Sequence, residues 1–288
     1  MNAAIAPPMP TTPDLSHRAA LRLAQLRAAF GLNLRIALRG KRVWVLALVA
    51  LLPAIPPILF LIVSYLFPGN RTFGSGGPMA YFQNAIATIY LHVVLYVLAM
   101  AYGLAVISDE VEDKTLVHLL LCPIPRWVVV IGKFLAAWLI TALLMVGSLT
   151  LTYALTWFCE NAPGAWKPLF AYANMRILLL DSVVLVFALA AYLALFSCVG
   201  AWLLHGERWG VVFCFGWESL ITYLPAKLKW MTLMYHVQTL FPHKVSVAKL
   251  FALWGEPLSK ATCIAILLIA SGVFLALTVL NLKQREIR

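Results

Sequence analysis

Five apolar stretches constrain this chain more than any other feature. They run from about Val43 to Phe67, Phe82 to Ile107, Trp127 to Phe158, Ile177 to Leu204 and Ala261 to Leu282. A hydrocarbon core about 30 Å thick is crossed by about 20 apolar residues coiled as an α-helix. Lipid offers the backbone no hydrogen bonds, so only helices and closed barrels span it. A barrel would show segments of about 10 residues alternating in polarity, and these blocks do not alternate. The residue balance agrees, with 63% hydrophobic and 11% charged, where soluble domains have roughly half and a quarter. The reading is an all-α, polytopic membrane protein.

A sixth stretch, Trp209 to Leu224, is shorter and contains Glu218. It is expected as the fifth of six transmembrane helices, either short or continuing past Pro225 as a broken helix. The first span is expected to kink or open around Pro53, Pro56 and Pro57, because proline removes helical N–H donors. Residues 225–260 form a long segment before the last span. Its Trp230, Phe241, Phe251 and Trp254 suggest short helices dipping into the outer interface.

Ahead of the first span, residues 1–13 carry four prolines and are expected to be a disordered leader. From Asp14 to residue 42 a helical pattern takes over. Leu15, Ala19, Leu23, Leu26, Phe30, Leu34 and Ala37 form one stripe, with Arg18, Arg22, Arg35 and Arg39 away from it. This predicts an N-terminal amphipathic interfacial helix with arginines at the headgroups; the alternative is a helix packed on another protein chain. With both termini cytoplasmic, fourteen Lys/Arg lie inside and eight outside, which favours that orientation. The net charge of +11 is thus spent mainly at membrane ends and gives no reason to expect nucleic acid.

Between the second and third spans sits a polar break. Four of the chain's eleven carboxylates, Asp109, Glu110, Glu112 and Asp113, occupy five consecutive positions. Lys114 and Thr115 follow, then Leu116, Leu119 and Leu120 at helical spacing, and Pro123 and Pro125 end the run. Carboxylates favour a helix N-terminus, so 108–126 predicts a short amphipathic helix across the mouth of two spans. Spanning a membrane requires no such cluster, which points to contact with something in water.

No enzyme constellation accompanies it. The chain has no GxxxxGK[ST] loop, so it cannot hold ATP by a P-loop. Neither HExxH nor GxSxG occurs, the six histidines are not at metal-ligand spacing, and the five cysteines form no CxxC. No cofactor or metal is expected on this chain. Four titratable residues fall within or near the bilayer, His92, Lys133, Asp181 and Glu218, with Lys133 and Asp181 nearer span ends. Such groups are costly in lipid and face a bundle interior or a cavity. His92, Asp181 and Glu218 are candidates for a translocation path, with neutral hydrogen-bonded groups inside the bundle as the plainer alternative.

The residues Glu110-Val111-Glu112-Asp113-Lys114-Thr115-Leu116, then Leu120-Leu121-Cys122-Pro123-Ile124-Pro125-Arg126, then Gly132-Lys133, resemble the pattern of ABC-2 type permeases. The family reads as an acidic residue, Gly-Thr or Gly-Ser, a leucine run, Pro with Arg nearby, and Gly-Lys; Lys114 stands where the family often has Gly. The compact layout is similar to the permease of the nitrous-oxide reductase copper-site maturation exporter. The resemblance implies a six-helix domain over residues 43–288, an elbow helix over 14–42, and a multi-pass protein of a bacterial inner membrane. It further implies two ABC ATP-binding subunits carrying ATP–Mg, a second permease chain (identical or related), and export as the direction. Residues Glu110, Glu112, Asp113, Lys114, Thr115, Leu116, Leu119, Leu120, Pro123, Arg126 and Lys133 would form the coupling site. The rival readings are a proton-coupled secondary transporter and a membrane anchor for a peripheral complex.

Overall fold

Proline placement shapes the first span. In the computed structural model, which describes residues 15–66, 77–106, 125–159, 169–203, 206–218, 228–243 and 258–284, every regular element is helical. Helix α1 (Leu15–Arg39) ends at an extended Gly40, and α2 (Lys41–Ala50) starts directly after it. A 3-10 turn, Leu52–Ala54, then separates α2 from α3 (Ile55–Leu66). Pro53 has no N–H to give, and the Ala54 N–H turns back to the Leu51 carbonyl at 2.9 Å instead of reaching Ala50. The expected opening at Pro53 is therefore present, as a tightened turn rather than a gap.

Other helices repair that turn. Ser148 donates its hydroxyl hydrogen to the Ala50 carbonyl. Tyr90 lies 2.8 Å from Ser148 Oγ and 2.9 Å from Thr152 Oγ1, so one hydroxyl cluster holds three spans together. Further along the same span, the Cys159 thiol reaches the Pro57 carbonyl at 3.3 Å. Backbone groups freed by proline inside a membrane are tolerated where neighbouring side chains satisfy them in this way.

The second span is one continuous helix, Gly77–Ala105. It comprises α4 (Gly77–Ala85), a π-helical stretch (Ile86–Val94) and α5 (Leu95–Ala105). Helices α6 (Arg126–Phe158) and α7 (Tyr172–Trp202) are the longest elements described, and α10 (Lys260–Gln284) is the last. The tightest packing is between α5 and α7, where two glycines face each other's helix. A Cβ on Gly103 would lie 2.6 Å from the Phe196 Cβ, and one on Gly200 would lie 2.9 Å from the Leu104 carbonyl oxygen. Small residues let membrane helices approach closely enough for dispersion contacts to hold them. Tyr96 and Tyr192 pack edge to face beside this crossing, with centroids 5.3 Å apart.

Among the described residues, five helices are long and apolar enough to cross a membrane. The Trp209–Leu224 stretch does not add a sixth of that kind among the described residues. Helix α8 (Gly206–Val211) runs into a π turn, Val212–Glu218, together about 20 Å long at 1.5 Å per residue. A 3-10 turn (Leu228–Met231) and α9 (Leu233–Leu240) follow. The described part of this stretch is a short helix that passes into π-helical turns. Residues 219–227 lie outside the described residues, as do the 1–13 leader and residues 244–257.

Candidate functional site

Helix α1 packs along the first turns of α6. Of the predicted stripe, Leu34 and Ala37 rest against the core, while Leu23 is exposed. The apolar stripe predicted for this helix is thus split: its later half faces this chain's own third span. Gly132 permits the approach, since a Cβ there would lie 3.0 Å from the Ala29 Cβ and 3.4 Å from the Phe30 nitrogen. One residue on, Lys133 donates from Nζ to the Val106 carbonyl at 3.2 Å. Val106 is the C-cap of α5, where free carbonyls and the negative helix end attract a cation. Gly132-Lys133 therefore joins three elements: glycine seats α1, and lysine ties α6 to the end of α5.

This junction closes the base of the polar break. Val106 is the last described residue before it, and Pro125, extended at φ −59° and ψ 130°, is the N-cap that launches α6 after it. Arg126 is the first residue of α6. The remaining predicted coupling residues, Glu110, Glu112, Asp113, Lys114, Thr115, Leu116, Leu119, Leu120 and Pro123, lie outside the described residues.

Inside the bundle, the three intramembrane candidates are kept apart. Glu218 is 1% exposed and accepts from three donors: the Leu233 and Met234 backbone N–H groups and the Tyr192 hydroxyl, each at 3.2 Å. A carboxylate over the first N–H groups of α9 satisfies donors that a helix start leaves unpaired and complements the dipole. Thr232 caps the same helix end by accepting from the Tyr235 N–H. Asp181 is fully buried and takes the His243 Nε2 at 3.1 Å on Oδ2, while its Oδ1 has no partner among the described residues. Tyr192 lies eleven residues beyond Asp181 on α7, about 16 Å of helix rise. His92, half-buried, bonds through Nδ1 to the carbonyl of Ala87 in its own π-helical stretch at 2.9 Å. Among the described residues, no hydrogen bond joins any two of the three.

Sequence reasoning missed His243, Tyr192 and Ser148 as partners. Nothing local flags them, because each acts across 26 or more residues of chain. Gly103 carried a readable signal: Ala99 and Gly103 make a small-x-x-x-small spacing of the kind that packs membrane helices.

The family model of the ABC-2 family transporter protein matches residues 28–287, nearly the whole chain and all of the elements above except the first half of α1. This chain belongs to the ABC-2 transporter family. A search of curated proteins finds no match to it. The ABC-2 membership makes it the membrane permease component of an ABC transporter, a multi-pass transport protein and not the catalytic part. ABC-2 permeases normally work with an ATP-binding subunit, and membership of the family supports that kind of partner.

Proposed function

We propose that this ABC-2 permease belongs to an exporter of a bacterial inner membrane and couples to a separate ATP-binding subunit through residues 108–126. The observation that carries the reading is the Gly132-Lys133 junction. A docking segment transmits force only if its roots are anchored, and here the chain before 108 is tied to α6 through Lys133 and Val106. The chain after 126 continues as α6, on which α1 is seated at Gly132. A push on the segment would tilt α5, α6 and α1 as one lever. The acidic and basic groups would register the docking, and the leucines would supply apolar burial.

Two copies of the ATPase, each with ATP–Mg, and a second permease chain complete the assembly. The first and last spans support the second chain. Only 28% and 17% of their most apolar 18-residue stretches are buried within one chain, against more than half for the second to fourth. With both termini cytoplasmic and six crossings, counting Trp209 to Leu224 as the short fifth, the basic residues fall mostly inside. Among the described residues, His92, Asp181 and Glu218 bond to separate partners, which lends no support to a proton relay joining them. Expression of the chain with its genomic neighbours tests the proposal. Co-purification of a P-loop ATPase whose turnover rises with the permease is the expected result, and absence of any such subunit overturns it.

A further inference from the structure

Asn84, Thr88 and His92 follow one another at four-residue spacing along the second span, so they form a polar row on one face of it. Asn84 and Thr88 are exposed and His92 is half-buried. The Thr88 hydroxyl donates to the Asn84 carbonyl at 2.7 Å, and the Asn84 side chain has no hydrogen bond among the described residues. His92 Nδ1 meets the Ala87 carbonyl, which only accepts, so Nδ1 carries the proton and in the neutral ring Nε2 keeps its lone pair. The same spacing leads inward to Tyr96, packed on Tyr192, and to Met100, whose sulfur would lie 3.1 Å from a Cβ on Gly210 of α8. Helices α7 and α8 thus cover the inner part of the row, and the outer part is bare. Residue 91 is the midpoint of Gly77–Ala105, so His92 lies at mid-membrane, with Asn84 about 10 Å from the Gly77 end at 1.5 Å per residue.

We propose that Asn84, Thr88 and His92 line a water-filled passage that opens at the Gly77 end and stops inward where Tyr96 and Met100 are covered. Hydrocarbon offers no partner to an amide or an imidazole, and leaving one unpaired there is costly. Polar groups within a membrane therefore face a protein interior or a water-filled cavity, and this row does not face the interior of its own chain. The bare face of the last span makes the contrast, because Ile269, Val273 and Leu280 are what lipid or a dry protein contact accepts. Thr88 and His92 also fall in the π-helical stretch Ile86–Val94, and such stretches recur at functional sites. With both termini cytoplasmic the Gly77 end is the outer one, so the passage is the exit half of the transport path, a role that rests on the permease reading above.

The test uses right-side-out membrane vesicles holding the full chain expressed with its genomic neighbours, treated with a membrane-impermeant maleimide. Asn84→Cys and Thr88→Cys should label above the unmodified chain, and about tenfold or more faster than Ile269→Cys, since only the thiolate reacts and lipid suppresses its ionisation. Ile269 is 66% exposed on the last span and so controls for exposure without water. Hydroxyl radicals generated from bulk water need no substitution, and should oxidise His92 of the unmodified chain while sparing the buried His236. Labelling confined to Asn84→Cys, equal labelling of Ile269→Cys, or a His92 as protected as His236 would overturn the passage. The two readings separate cleanly. A labelled Thr88→Cys with no co-purifying ATPase keeps the wet face and removes the exporter, and an unlabelled Thr88→Cys beside a co-purifying ATPase does the reverse.

Discussion

Ser148 on the third span bonds the Ala50 carbonyl of the first, the acceptor that the Pro53 turn deprives of its Ala54 donor. A break inside one span is thereby completed by a side chain of another. Helix–helix hydrogen bonds of this type contribute about 0.6 to 2 kcal/mol in membranes. Ser148→Ala should lower the thermal unfolding midpoint in detergent. Pro53→Ala removes the ring that forces the 3-10 turn and lets the Ala54 N–H return to the Ala50 carbonyl, so in that background Ser148→Ala should cost less. Equal losses in the two backgrounds, measured as a double-mutant cycle, would separate the hydroxyl from the turn.

The α5–α7 crossing tolerates no added atoms. Gly200→Val pushes against Leu104 backbone, which cannot rotate away, and overpacking of this kind costs about 1–3 kcal/mol. Gly147 on α6 has open space around it among the described residues, and Gly147→Ala should be neutral or gain up to about 1 kcal/mol from helix propensity. Unfolding midpoints of the two variants, side by side, check the contrast; a tolerated Gly200→Val would mean the helices are further apart.

Glu218 holds α8 to the start of α9 and to Tyr192. Glu218→Gln keeps an acceptor at the same place and should fold, with a modest loss. Glu218→Ala strands buried donors, each worth about 1–3 kcal/mol, and should destabilise clearly more. Transport retained in the Gln variant would assign the residue to structure; transport lost at unchanged midpoint would place it on the substrate path.

Asp181 and His243 should behave as a pair. Asp181→Ala and His243→Ala each remove one side of a buried bond, and the double variant should lose less than the sum of the singles. Additive losses in unfolding midpoint would show that the two do not support each other.

The coupling proposal is open to test at positions 110 and 112. Glu110→Lys with Glu112→Lys should abolish stimulation of the partner ATPase and leave the permease's unfolding midpoint unchanged. ATP turnover that stays at the unmodified level in the reconstituted complex would count directly against docking at this segment.

Much of this permease is legible from one dimension. Lipid admits few backbone solutions, so runs such as Val43–Phe67 and Ala261–Leu282 announce spans without reference to their neighbours. Pro53 announces an opening for the same local reason, a missing N–H. The fifth stretch is harder because Glu218 lowers its hydropathy, and whether such a residue ends a span depends on which groups bond it. His92, Asp181 and Glu218 look alike in sequence as charges in lipid, and three different partners distinguish them.

Local composition and period are enough to establish the class of protein, its long helices and the polar segment that marks its family. They leave open whether Gly132 seats α1, whether Lys133 closes the root of the polar segment on Val106, and whether Glu218 starts a second helix; the packed fold settles all three. Those relations join residues far apart along the chain, and their energies come from contacts that no local pattern encodes.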